Sequence, residues 1–156
     1  MNVYPLSLSR PHGQRAVVVG GGPIGQRKCA GLLAAGIPVR LISPTATAQL
    51  AEWAAAGTID WDIRPYVPGD LVTATLVFAA TNDRAANAAV AQEAAVRGVL
   101  CTVADAPAEG TFHTPATIRH GDTIIAISTL SADPRRAKAL RERLEAWLAA
   151  QDEGSA

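Results

Sequence analysis

The sequence has no surplus of either charge: 14 Lys and Arg stand against 14 Asp and Glu in 156 residues. The two signs are interspersed, so no basic face is available to neutralise a phosphate backbone, which argues against nucleic acid as a partner. Long apolar runs are also missing. None approaches the roughly 20 residues that a membrane span needs. The start, Met1-Asn2-Val3-Tyr4-Pro5, has no basic stretch leading into an apolar core. The expectation is a cytoplasmic protein that makes no use of a membrane. Cysteine is scarce. Cys29 and Cys101 lack CxxC spacing and a nearby histidine cluster, which points to small buried hydrophobes in a reducing compartment and to no preformed metal site. There is no internal repeat, and the one biased stretch is the polar tail Asp152 to Ala156, expected to fray.

What the chain does have is 49% hydrophobic residues, enough for one sizeable core. Ala16-Val17-Val18-Val19 is an unbroken apolar run rich in β-branched residues, the mark of a central parallel strand buried on both faces. Helical periodicity follows over 24–35, a strand over 39–43, an alanine-rich helix over 46–56, strands over 59–63 and 76–80, a helix over 84–97 and a strand over 100–103. This alternation calls for an α/β fold, a parallel sheet with helices on both faces. After Pro107 the texture changes. Strands over 114–118 and 123–128 flank the polar turn His120-Gly121-Asp122. A last helix then starts at Asp133-Pro134, with Ala137, Leu140, Leu144, Trp147 and Leu148 as an apolar stripe that must pack on something.

Gly20, Gly21, Gly22, Pro23, Ile24 and Gly25 match G-x-G-x-x-G. The pattern alone is weak, but here it follows a buried strand and opens a helix, where small residues let the backbone approach a pyrophosphate and helix N–H groups face it. A dinucleotide is the expected ligand. In a typical NAD site an acid follows about 20 residues later to hold the ribose hydroxyls. Ser43, Pro44 and Thr45 occupy that place, and no Asp or Glu occurs between Gly25 and Glu52. Hydroxyls or backbone groups must serve instead, and NAD and NADP are not separated by this criterion.

Two more places lie at the carboxyl edge of the sheet, where such folds bind ligands. Thr81 and Asn82 are candidate cofactor contacts, with helix N-capping the competing role for Asn82 and Asp83. Asp105, just before Ala106-Pro107, is the candidate catalytic carboxylate, able to take the proton released when a hydride leaves or to hold a cationic group or metal; a turn before proline is its bland alternative. His113 and His120 are the histidines to weigh beside it: His113 near the same cleft as a ligand or acid, against the commoner role of a hydrogen-bonded structural residue in a loop, and His120 as a solvated turn residue.

The segments Tyr4-Pro5-Leu6-Ser7-Leu8, Val18 to Lys28, Ala79-Ala80-Thr81-Asn82-Asp83 and Val103-Ala104-Asp105-Ala106-Pro107 resemble, in order and spacing, the precorrin-2 dehydrogenase/sirohydrochlorin ferrochelatase family of siroheme synthesis. Thr111 to Ala116, Ile125 to Thr129 and Leu140 to Glu145 continue the likeness over nearly the whole chain. The resemblance implies an NAD-binding Rossmann domain over 1–110, a strand-rich dimerisation segment of hairpin and amphipathic helix over 111–150, and a flexible tail over 151–156. It implies a homodimer with a tetrapyrrole substrate, oxidation of precorrin-2 to sirohydrochlorin by NAD⁺, and in some members Fe²⁺ insertion. It carries the important aspartate onto Asp105 and NAD contacts onto Pro23, Ile24, Pro44 and Thr45. The chain departs from the family's usual glycine pair and Ser-Pro with Leu130-Ser131-Ala132-Asp133-Pro134, has His113 where an apolar residue is usual, and ends near 156 without a further helical segment. A relative acting on another small substrate and a non-catalytic NAD-binding protein are the alternatives these departures leave open.

Overall fold

The computed structural model describes residues 4–8, 15–129 and 133–153. Met1 to Val3, the Leu130-Ser131-Ala132 segment and the last three residues of the polar tail lie outside them. The chain divides into two compact units, Ser7–Phe112 and Met1–Leu6 with His113–Ala156.

In the larger unit the apolar run becomes β1 (Ala16–Gly21), every residue of it buried. It is followed by α1 (Pro23–Ala34), β2 (Val39–Ala46), α2 (Ala48–Ala55), β3 (Asp60–Asp62), β4 (Leu76–Ala79), α3 (Arg84–Arg97) and β5 (Leu100–Val103). All four pairings are parallel and the strand order is β3-β2-β1-β4-β5. This is the Rossmann arrangement, and the order reverses between β1 and β4, the place where such sheets open a crevice at their carboxyl ends.

Because side chains alternate across a strand, β1 feeds two cores. Val17 and Val19 pack with Val77, Leu71, Val90 and Val103 on one face; Val18 packs with Cys29, Leu41, Leu50 and Phe78 on the other. Each cysteine sits in one of these cores as a free thiol. Burial pushes the Cys29 pKa up to about 12 and that of Cys101 to about 11, so both stay protonated at neutral pH. The crossover from β3 to β4 has no helix of its own. Ion pairs and hydrogen bonds fasten it: Asp70 meets Arg64 at 2.6 Å and Arg40 at 3.4 Å, and Glu93 of α3 accepts the hydroxyl of Tyr66 and, at 2.9 Å, the N–H of Gly69.

One strand outruns its sequence signal. The expected strand 39–43 continues to Ala46, and α2 begins only at Ala48 with Thr47 as its cap. The reason is an irregularity in the β1–β2 ladder: Val19 pairs with Ile42, but Gly21 pairs with Ala46. Four residues of β2 thus answer two of β1, and Pro44, which has no N–H to give, sits in the bulge.

The smaller unit contains β6 (Ala116–His120), β7 (Thr123–Ile127) and α4 (Pro134–Glu153). The hairpin starts later than expected because Pro115 cannot donate to a ladder. His120 pairs with Thr123 across a two-residue turn, Gly121-Asp122, so it belongs to the strand. Asp133 caps α4 as expected, its Oδ1 accepting the N–H groups of Arg135 at 2.9 Å and Arg136 at 3.0 Å. The helix runs to Glu153, since Ala149, Ala150 and Gln151 are good helix formers and no stop signal precedes Gly154. Along its stripe Ala137 is buried, Leu144 and Leu148 are half-buried, and Leu140 and Trp147 are exposed. No helix among the described residues is long and apolar enough to cross a membrane.

Candidate dinucleotide site

A cleft of about 540 Å³ opens at the carboxyl ends of β1, β2 and β4. Its lining brings together Gly20 to Gly22 at the end of β1, Ser43 to Thr45 in the β2 bulge, Thr81 and Asn82 after β4, and Pro65 and Tyr66 of the crossover. Three segments chosen from the sequence, far apart along the chain, therefore meet in one place.

The glycines divide the work. Gly20 has φ +115°, and a Cβ there would stand 2.4 Å from the carbonyl oxygen of Ala80, so only glycine makes this turn against β4. A Cβ on Gly25 would stand 1.9 Å from the carbonyl oxygen of Gly20, so only glycine lets α1 seat this close to the loop. Gly22 differs: among the described residues nothing lies within 4 Å of the Cβ position, and the residue lines the cleft just before the first turn of α1. The space over Gly22, facing the free N–H groups of a helix start, suits a pyrophosphate in position and polarity. The fingerprint's three roles, tight turn, close approach and helix packing, thus fall on Gly20, Gly22 and Gly25. Pro23 and Ile24 form the exposed first turn of α1 beside this lining, while Gly25 is buried beneath it.

Ser43 is buried, and its Oγ accepts the N–H of Gly21 at 2.9 Å. Its hydroxyl holds the glycine loop, while Pro44 and Thr45 are exposed on the bulge. Trp61 reinforces the bulge by donating its indole N–H to the carbonyl of Ser43 at 2.9 Å. After β4, Asp83 takes the capping role, its Oδ1 accepting from Ala85 at 2.8 Å and Ala86 at 3.1 Å. Asn82 is left exposed on the cleft wall.

Asp105 stands beyond the end of β5 and is not among the residues lining the cleft. One buried side chain joins it to them. Asn87 of α3 donates to Asp105 Oδ1 at 2.9 Å and to the Thr81 carbonyl at 3.0 Å. The other carboxylate oxygen lies 3.9 Å from Arg84 Nε, and Arg84 also pairs with Glu109, whose hydrogen bond is the main reason its pKa rises further. His113 opens the second stretch of the smaller unit and is half-buried. Asn87 escaped the sequence reading, although a signal exists: it shares an i, i+3, i+4, i+7 stripe with Val90, Ala91 and Ala94, a polar residue where the pattern asks for an apolar one. Among the described residues no three His, Cys, Asp or Glu side chains gather as a metal site.

The NAD(P)-binding family whose model is NAD_binding_7 matches residues 8–116. The solved structure of SirC, precorrin-2 dehydrogenase, superposes with a TM-score of 0.79 and 30% identity, over 92% of this chain and 70% of that one. The chain belongs to the precorrin-2 dehydrogenase family. Siroheme synthase 1 of Aeromonas salmonicida is 39% identical over 95% of this chain and 31% of its own length. Siroheme synthase of Gluconacetobacter diazotrophicus is 41% identical over 94% of this chain and 32% of its own. The chain spans about a third of the length of these curated relatives. Membership agrees with the glycine loop on the cofactor, a nicotinamide dinucleotide: residues 8–116 match an NAD(P)-binding family.

Proposed function

We propose that this chain oxidises precorrin-2 to sirohydrochlorin, with Asp105 as its catalytic carboxylate. The observation that carries the reading is the single cleft formed by Gly20 to Gly22, Ser43 to Thr45, Thr81 and Asn82, with a fixed carboxylate next to it. Gly20 to Gly25 and the first turn of α1 hold the pyrophosphate. Pro44 and Thr45 lie along the ribose side, where no acid is present, and Thr81 and Asn82 border the nicotinamide side. NAD⁺, when bound, supplies an acceptor for one hydride. Removing two hydrogens from the substrate as a hydride and a proton leaves the proton to be taken up, and Asp105 takes it. Arg84 lies within 4 Å of the same carboxylate and sets a fixed positive charge beside it.

The smaller unit supports a homodimer. Ile124 of β7 and Leu140 and Trp147 of α4 are exposed in the single chain at 58%, 38% and 57%, an apolar set that a second copy would cover.

A second reading, a relative acting on another small molecule, is favoured by one observation. Asp133 is exposed where the family usually carries serine, and its negative charge opposes a polycarboxylate substrate.

Anaerobic incubation with precorrin-2 and NAD⁺, following sirohydrochlorin and NADH together, tests the proposal. Equal yields of the two support it. NAD binding by calorimetry without turnover would favour the second reading. Co²⁺ added after turnover reports metal insertion on the same sample.

A further inference from the structure

Asn87 is 0% exposed, and an amide buried to that degree is costly unless its donors and acceptor are met. Its Oδ1 accepts the Thr81 N–H at 3.1 Å and the Thr81 hydroxyl at 2.9 Å; its Nδ2 donates to the Thr81 carbonyl at 3.0 Å and to Asp105 Oδ1 at 2.9 Å. The Thr81 backbone, donor on one side and acceptor on the other, dictates which way the amide faces, so the group turned towards Asp105 is a donor. Three bonds hold a residue of the cleft wall. The fourth holds the carboxylate.

We propose that Asn87 is the positioning residue of the site: it fixes Asp105 relative to the Thr81 segment and, by occupying Oδ1, leaves Oδ2 as the oxygen that receives the proton. The inference rests on the reading of Asp105 as the catalytic carboxylate. No other residue type of this size both accepts from Thr81 and donates to Asp105. Aspartate has the shape but, when ionised, no donor, and would set two carboxylates against each other; serine has one donor and is too short to span both partners. The arrangement also ties the two halves of the site together, since a ligand that shifts Thr81 shifts the amide that holds Asp105.

The test uses Asn87→Asp and Asn87→Ser in the full chain, with NMR of the Asn87 side-chain amide as a second, activity-free readout. In each variant that is folded by circular dichroism, kcat is expected to fall about tenfold or more, as for a lost hydrogen bond to a charged group, while KM for precorrin-2 stays within about threefold. A purely structural residue would instead lower melting temperature and leave kcat of the folded fraction intact. In the chain carrying Asn87, replacing the exposed Asp105 by alanine is expected to move the Asn87 amide resonances, and saturation with NAD⁺ to move the same pair. Folded variants with unchanged kcat, or resonances indifferent to Asp105→Ala and to NAD⁺, would overturn the inference. A natural chain that binds NAD⁺ without oxidising precorrin-2 would sink the proposed function instead, and the two resonance shifts then decide alone whether Asn87 links Thr81 to Asp105.

Discussion

The Cβ that Gly25 lacks would stand 1.9 Å from the carbonyl oxygen of Gly20, far inside the distance at which a carbon and an oxygen can pack. Helix α1 therefore rests on the loop at a distance set by a missing methyl group. Gly25→Ala must lift the helix, at a cost of about 1–3 kcal/mol for overpacking. The expected result is a melting temperature lower by roughly 2–4 °C for each kcal/mol, together with weaker NAD⁺ binding.

Gly22→Ala is the informative contrast. Its backbone, φ −80° and ψ −175°, suits any residue, and the new methyl meets no atom of the described residues within 4 Å. Melting should not change. If the space over Gly22 holds the pyrophosphate, NAD⁺ affinity measured by calorimetry should fall about tenfold, or about 1.4 kcal/mol. A folded Gly22→Ala chain with unchanged affinity would remove the pyrophosphate from this place.

These glycines were legible because their demands are local: a strand must end, a turn must pass close to a neighbour, and a helix must start. The same holds for α3, whose bounds match the sequence reading because Asp83 can cap and Gly98 can stop. Where sequence reasoning fell short, the cause lay across the sheet. The length of β2 depends on the ladder bulge opposite Gly21, and the role of Ser43 depends on the N–H that the bulge brings to it. Asn87 was harder still. Its partners Thr81 and Asp105 are 6 and 18 residues away and meet it only because β4 and β5 are adjacent.

Ser43→Ala tests that missed role. It leaves the buried Gly21 N–H without its acceptor, a loss worth about 1–3 kcal/mol when no water replaces it. Urea denaturation should show a lower midpoint with an unchanged slope. Because the same bond shapes the loop, NAD⁺ affinity should fall as well. An unchanged midpoint would mean that the glycine loop does not depend on Ser43.

Asp70 gives the larger unit an acid-sensitive clasp. The hydrogen bond from Arg64 holds its carboxyl below the ordinary value of 3.8, outweighing the opposite push of burial, with the Val67 N–H and Arg40 adding to the effect. A depressed folded pKa stabilises the protein above the unfolded value, about 3.9, and that share is lost as pH falls through the folded pKa. Asp70→Asn should therefore be less stable than the natural chain at neutral pH. The gap between them, followed by urea denaturation, should close as pH drops below about 4. A gap that persists undiminished in strong acid would contradict the clasp.

Asp105 carries the chemistry proposed here, and its replacement tests that claim most directly. The measurement is anaerobic turnover of precorrin-2 with saturating NAD⁺ by the natural chain and by Asp105→Ala, each shown by calorimetry to bind NAD⁺. The account predicts sirohydrochlorin and NADH in equal amounts from the natural chain, and a rate lower by about a hundredfold or more from the variant, as for loss of a general base. Equal rates from the two chains would contradict it.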